Sequence, residues 1–184
     1  AKQYQKKTDK QHILDNPDTY IGSVENVENN TWVYDDNKIV NKSIEYIPGL
    51  YKLFDEGIVN CRDHVVRMKQ IKDKKNNHEV SYINISIEDD GTIEMINDGN
   101  GIDVAKHPEY DLWIPEMIFG HLRTSTNYNK EEKKIVGGKN GFGFKLVLIW
   151  SKEGYIETVD HVRKLKYCQK FENNLDVICK PSIK

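Results

Sequence analysis

Val136-Gly137-Gly138-Lys139-Asn140-Gly141-Phe142-Gly143-Phe144-Lys145 carries four glycines within seven residues. Packing does not call for such a run. Glycine reaches positive φ at little cost and lets a backbone come close to a ligand. The apolar stretch that follows, Phe144-Lys145-Leu146-Val147-Leu148-Ile149-Trp150, reads as a helix. A glycine-rich loop feeding a helix N-terminus is a place for phosphate, because free amides and the positive end of the helix dipole both point at it. Taken alone, the run is equally a surface loop, so its meaning depends on what surrounds it.

The chain has 184 residues, enough for one domain with a real core. Hydrophobic residues make up 38% and charged residues 30%, a balance unlike that of disordered chains. The net charge of −2 provides no basic footprint, so a tight grip on nucleic acid by this segment alone is not expected. No apolar run reaches the length of a membrane span, and Ala1-Lys2-Gln3-Tyr4-Gln5-Lys6-Lys7 is no signal peptide; no membrane partner is expected. Cys61, Cys168 and Cys179 are odd in number and fit no zinc spacing, and they read as free thiols of a reducing compartment. The six histidines form no i, i+4 pair, so a structural metal is not expected.

The first thirty residues are polar around a short apolar knot, His12-Ile13-Leu14, followed by a Pro- and Gly-punctuated turn from Asn16 to Ser23. Strands are predicted over 31–34 and 39–46, joined by Asp35-Asp36-Asn37-Lys38. A helix should run from Pro48 or Gly49 to about Gln70, burying Leu50, Leu53, Phe54, Ile58, Cys61 and Val65. Residues 69–78 read as an exposed, Asn-rich link. The stretches 82–87 and 92–96 form a hairpin about Asp89-Asp90-Gly91. A short helix is predicted over 115–120, a long polar loop over 121–136, and strands over 155–159, 165–171 and 175–179. The order implies an α+β fold: a largely antiparallel sheet with helices on one face, in one domain without repeats.

Three further clusters carry chemistry. On the long helix, Glu56, Asn60 and Asp63 or His64 share a face turned from the apolar stripe. Asn60 can offer a neutral oxygen to a hard cation such as Mg²⁺, and Glu56 can take a proton from a water aimed at a γ-phosphate. Gly57, in mid-helix, costs about 1 kcal/mol against Ala and has no explanation in the sequence. In Ile96-Asn97-Asp98-Gly99-Asn100-Gly101-Ile102, Asn97 or Asp98 could accept from an adenine amine while Gly99 and Gly101 let the base approach. In His121-Leu122-Arg123-Thr124-Ser125-Thr126-Asn127, small hydroxyls and an amide could hold ribose or phosphate. Each cluster alone would pass for a solvated helix face or a plain turn.

Their order decides. Helix Glu-x-x-x-Asn, then Asn-Asp-Gly-x-Gly, then a glycine-rich lid resembles the N, G1 and G2 boxes of the GHKL ATPases. It is neither a Walker motif nor a Rossmann fingerprint. Tyr4-Gln5-Lys6-Lys7-Thr8, Pro17-Asp18-Thr19-Tyr20-Ile21-Gly22-Ser23-Val24-Glu25, Pro48 to Glu56, Ile114 to Gly120 and the glycine run together resemble the N-terminal ATPase domain of eukaryotic-type (type IIA) DNA topoisomerase II. The resemblance runs from about Tyr4 to Lys166. It implies the GHKL (Bergerat) two-layer sandwich of a mixed, largely antiparallel sheet with helices on one face, over residues 1–184, with 1–25 as an N-terminal arm and with the C-terminal part of the domain lacking.

By resemblance, Glu56 is the general base and Asn60 the Mg²⁺ ligand. Asn97 stands where adenine is read, and Ser125, Thr126 and Asn127 where ribose and phosphate are held. Gly138, Lys139, Asn140, Gly141, Phe142, Gly143, Phe144 and Lys145 match the lid, and Tyr4 the arm residue that reaches the partner subunit's nucleotide. The implied cofactors are ATP and Mg²⁺. The implied partner is a second copy in an ATP-dependent homodimer of the full-length enzyme, with DNA bound mainly by domains not found here. Two departures stand out. The family has Asp-Asn at Asp63-His64, placing His64 where a ribose or phosphate contact could change, and a small residue at Phe144. The transducer, with its lysine for the γ-phosphate, and the DNA-cleavage domains are expected to be absent, so the fragment alone should hydrolyse weakly or not at all. Alternatives are a GHKL dimerisation module with little turnover and a chaperone-like GHKL protein. Location follows the source: the nucleus if eukaryotic, host cytoplasm or virion if viral.

Overall fold

A computed structural model describes residues 7–73, 75–122 and 142–184. They fall into two compact units, Ala1–Asp55 and Glu56–Lys184.

In the first unit, the polar opening holds two short helices that the sequence pattern did not announce. Helix α1 (Asp9–Asp15) starts at Thr8, whose Oγ1 accepts from the Gln11 amide at 3.2 Å, and buries Ile13. Pro17 then opens α2 (Pro17–Tyr20), the position where a missing amide proton costs nothing. Gly22 follows at φ +94°, a conformation that favours glycine. The turn brings the Ser23 carbonyl to the Gly49 amide at 2.8 Å, which satisfies one of the orphan donors at the start of the long helix. A Cβ on Gly49 would crowd that carbonyl at 3.1 Å. Strands β1 (Val27–Asp35) and β2 (Lys38–Tyr46) pair antiparallel about the Asp36-Asn37 turn, whose two residues both have positive φ, as a tight hairpin demands. The β1 strand begins earlier than predicted because polar Glu28 finds a partner across the ladder, accepting from Ser43 Oγ at 2.7 Å.

Helix α3 spans Pro48–Gln70. Its buried line differs from the predicted one: Leu50 is 57% exposed, and Leu53, Phe54, Ile58 and Val65 are only half-buried, whereas Gly57, Cys61, Asp63 and Met68 are buried. The mid-helix glycine now has a reason. A Cβ on Gly57 would lie 2.5 Å from Met95 Sδ and 2.9 Å from its Cε, so the thioether fills the notch the glycine leaves.

In the second unit, β3 (Ile83–Ile87) and β4 (Ile93–Asn97) form the predicted hairpin. Helix α4 (Ile114–Gly120) and helix α5 (Gly143–Ile149) meet through an edge-to-face contact of Phe119 and Phe144 at 5.7 Å. Strands β5 (Glu153–Asp160) and β6 (Leu165–Glu172) pair along their full length, and the short β7 (Val177–Ile178) and β8 (Ser182–Ile183) both join β6. The fold is α+β, and every strand pair among the described residues is antiparallel. The strands lie in separate sheets of two, two and four strands rather than one continuous sheet. No helix among the described residues is long and apolar enough to cross a membrane.

The core of this unit gathers Leu146, Leu148 and Ile149 of α5 with Ile156, Tyr167 and Phe171 of the sheet and Val104. A buried polar string ties α4 to β6: Tyr167 donates to Gln169 Oε1 at 2.8 Å, and Gln169 Nε2 donates to Glu116 and to the Cys179 carbonyl, each at 2.9 Å. The segment after β4 is fastened to β5. The Val159 carbonyl occupies the space a Cβ on Gly101 would need, the Ile102 amide donates to Thr158 Oγ1 at 2.8 Å, and the Val104 amide donates to buried Asp160 at 2.9 Å. Burial pushes the Asp160 carboxyl up, but the Arg163 and Val104 amides and the Arg163 guanidinium outweigh it and hold it at about 2.

Gly101→Ala must therefore displace backbone and should cost about 3 kcal/mol or more. Gly91→Ala, at φ +87° with open space around it, should cost only about 1–2 kcal/mol. Urea unfolding of the two variants checks this, and equal losses would refute the role given to the Val159 contact.

Candidate functional site

Helix α3 presents two neighbouring rows. In the first, Glu56 and Asn60 stand one turn apart and face the residue that opens α5. A Cβ on Gly143 would lie 3.6 Å from Glu56 Oε2 and 3.9 Å from Asn60 Nδ2, so the end of the glycine-rich run and the carboxylate–carboxamide pair share one small space. Asn60 Nδ2 donates to the Glu56 carbonyl at 2.7 Å. With its amine held by the backbone, the exposed side chain has Oδ1 to offer outward. Lys145, two residues after Gly143 in α5, is buried, and that burial pushes its ammonium down to about 8. Phe144, where the sequence departs from its family pattern, has its ring edge 3.7 Å from the Cβ position of Gly57, so it takes up room that a larger residue at 57 would claim.

The second row of α3 carries β4 and the turn after it. Gly57 meets Met95. Burial pushes the Cys61 thiol up, and the neighbouring Asn97 side chain works against that rise. His64 Nε2 lies 2.8 Å from the Asn100 carbonyl, which makes this nitrogen the protonated donor. Burial and then the nearby Arg67 push the His64 imidazole down, against the pull of that carbonyl, and so favour the neutral ring. Asp63, the alternative to His64 in the sequence pattern, is buried with Arg62 Nη1 at 3.3 Å.

Of the two candidates for reading a base, Asp98 is heavily committed. It accepts from the Ser81 amide at 2.8 Å, the Tyr82 amide at 3.1 Å and the Ser81 hydroxyl, and these bonds, the hydroxyl first, hold its carboxyl below the usual range. Asn100, not singled out from the sequence, is the most connected residue of the turn. Its Oδ1 accepts from the His78 amide at 2.7 Å, its Nδ2 donates to Asn77 Oδ1 at 3.2 Å, and its own amide donates to the His78 carbonyl at 3.1 Å. Asn77 in turn donates to the Met68 carbonyl of α3 at 2.9 Å. Residues 76–78 are thus a fastening, where the sequence had read an exposed link. Their only signal was the density of Asn and His.

Glu56, Asn60, Phe142, Gly143, Phe144 and Lys145 come together at the start of α5, while His64, Asn97, Asp98, Gly99 and Gly101 assemble around the turn after β4. Tyr4, Ser125, Thr126, Asn127, Gly138, Lys139, Asn140 and Gly141 lie outside the described residues. A separate groove of about 410 Å³ on the outer face of β5 and β6 is lined by Tyr155, Lys166, Cys168 and Lys170 among others. Its Lys166 and Lys170 are paired with Glu157, Glu153 and Glu172, and it contains none of the predicted site residues.

No protein-family model matches the chain. Curated relatives do. The DNA topoisomerase 2 of Acanthamoeba polyphaga mimivirus is 49% identical over 179 residues, covering 94% of this chain and 14% of the relative. Those of Saccharomyces cerevisiae and Pisum sativum are 46% and 43% identical, each covering 98% of this chain and 12% of the relative. The chain thus spans roughly an eighth of the length of these relatives. Among solved structures, the ATPase region of Saccharomyces cerevisiae topoisomerase II superposes with a TM-score of 0.90 at 44% identity, covering 100% of this chain and 47% of that one. The ATPase and transducer domains of Balamuthia mandrillaris topoisomerase II give 0.91 at 42% identity, covering 100% and 45%. Along its whole length, the chain is a homologue of the ATPase region of the DNA topoisomerase II family.

Proposed function

We propose that this chain binds and hydrolyses ATP as part of the N-terminal gate of a type IIA DNA topoisomerase, and that nucleotide binding drives closure of a homodimer during DNA strand passage in the full-length enzyme. The observation that carries this reading is the space shared by Gly143, Glu56 and Asn60, with Lys145 buried two residues further along α5. The residues present fit magnesium–ATP: a neutral amide oxygen and a carboxylate for a hard cation and a water, a buried ammonium for phosphate, and a glycine whose missing side chain leaves room.

Each group has one task. Asn60 would hold the metal through Oδ1, its Nδ2 being fixed to the backbone. Magnesium, when bound, neutralises part of the triphosphate's charge and eases attack at the γ-phosphorus. Glu56 accepts the proton of the attacking water. Lys145 meets phosphate oxygens with a charge held out of bulk water, where it acts more strongly. Asn97 reads the adenine edge, since Asp98 is committed to Ser81 and Tyr82. DNA contact and cleavage belong to other parts of the full-length enzyme.

Magnesium with a non-hydrolysable ATP analogue at about 100 times its Kd should stabilise the protein by about 2.7 kcal/mol, and Asn60→Ala should lose most of this rise in melting temperature. Equal shifts would count against Asn60 as the metal ligand. In single-turnover hydrolysis by the full-length enzyme, Glu56→Gln should bind nucleotide normally and turn over about 100-fold more slowly or worse. Equal turnover would remove the general-base role, and no turnover by either protein would leave a nucleotide-operated dimerisation module.

A third outcome concerns pH. With Lys145 at about 8, its ammonium is already present below pH 8, whereas above it binding must take up a proton. The affinity of Glu56→Gln protein for magnesium–ATP should therefore fall above pH 8, by up to about tenfold per unit. Adding Lys145→Gln should flatten that slope, and an unchanged slope would exclude Lys145 from the phosphate site.

A further inference from the structure

We propose that His64 is a positioning residue for base recognition: the hydrogen bond it gives to the Asn100 carbonyl fixes the turn after β4 on α3, and so sets how well adenine is told from other bases. The inference rests on the nucleotide-binding reading above and adds to it a residue that acts without touching the base.

The geometry is that of a mount made by one ring, through a hydrogen bond and a close steric fit. The turn is held on α3 at Asn100 by His64, whose Nε2 lies 2.8 Å from the carbonyl. Without that bond the Asn100 carbonyl would lose its tie to the helix. The imidazole, with Val80, also packs where a side chain on Gly99 would have to go: a Cβ there would lie 2.5 Å from Val80 Cγ2, 2.9 Å from His64 Nε2 and 3.1 Å from its Cδ2. The histidine and the glycine are therefore fitted to each other, and a ring tucked beneath the turn supports its backbone. The other polar groups of Asn100 are satisfied by Asn77 and His78, so His64 supplies the one bond that ties its carbonyl to α3. Helix α3 also carries Asn60, so the same bond sets the reach from the metal end of the nucleotide to its base end.

The test compares His64→Gln with His64→Met, which are nearly equal in length and flexibility. Only Gln can donate to the carbonyl. The affinities of AMP-PNP and GMP-PNP, each with Mg²⁺, are measured alongside the melting temperature without nucleotide. The Gln variant should keep the wild-type preference for adenine within about twofold. The Met variant should lose about fivefold in AMP-PNP affinity, the equivalent of one ordinary hydrogen bond, with GMP-PNP little changed and a nucleotide-free melting temperature close to that of the Gln variant. His64→Leu removes the donor without adding bulk and is read in the same way if His64→Met does not fold. A wild-type preference in the Met variant would overturn the proposal. So would equal loss of both nucleotides, which would place His64 on the shared ribose and phosphates, and so would a Gln variant that behaves like Met. Wild-type protein that binds neither nucleotide would remove the nucleotide site itself, an outcome distinct from all of these.

Discussion

Helix α3 meets β4 and the turn beyond it along one row of residues: Gly57 against Met95, Cys61 against Asn97, His64 against Asn100, and the Met68 carbonyl against Asn77. The intervals of four, three and four residues keep the row on a single helix face. Everything assigned to the site depends on that seam. The neighbouring row, Glu56 and Asn60, is held at a fixed rotation from it, and so the carboxylate–carboxamide pair reaches the start of α5 while the turn after β4 stays in place. Glycine at 57 permits the seam to close, because the sulfur of Met95 occupies the side-chain volume of the helix.

The two ends of the site are built by different means. At the end proposed to read the base, the constraint is hydrogen bonding without mobile charge: Asp98 is saturated by Ser81 and Tyr82, Asn100 by His64, Asn77 and His78, and Gly101 lies directly against the Val159 carbonyl. At the end proposed for phosphate the constraint is electrostatic. Lys145 is kept out of water, on a helix pinned by Phe144 against Phe119. Rigidity suits the recognition of a flat base, where misplacing one donor leaves a buried group unpaired. A buried charge suits a polyanion, whose own arrival relieves the cost of desolvation.

The sequence was most legible where one period dominated. The 3.6-residue spacing of α3 and the alternation of β3 gave those elements nearly to the residue, and the order of the three clusters pointed to the nucleotide fold before any geometry was known. It was least legible where local chemistry serves distant partners. Helix α1 buries one residue, Ile13, and a single apolar position has no period to detect. Leu50 keeps helical spacing yet stays exposed, because spacing reports which residues share a face and not which face is covered. Gly57 made sense only once Met95 was seen, and the Asn76 to His78 stretch looked like a polar link because its partners, Met68, Asn100 and His161, are scattered along the chain. The roles foreseen for Tyr4, Ser125, Thr126, Asn127 and Gly138 to Gly141 fall outside the described residues.

One feature of the turn after β4 bears on how the molecule is made. Its supports come from afar: 36 residues separate His64 from Asn100, and 56 separate Ile102 from Thr158 and Val104 from Asp160. Contacts of such sequence separation must repay a large loop-closure entropy before they reward the chain. The β3–β4 hairpin and α3 can form from near neighbours, but the turn after β4 is fully supported only once β5 has formed and docked. Nascent protein would therefore acquire its helix and hairpins first and its capacity to discriminate a ligand last, at the close of folding.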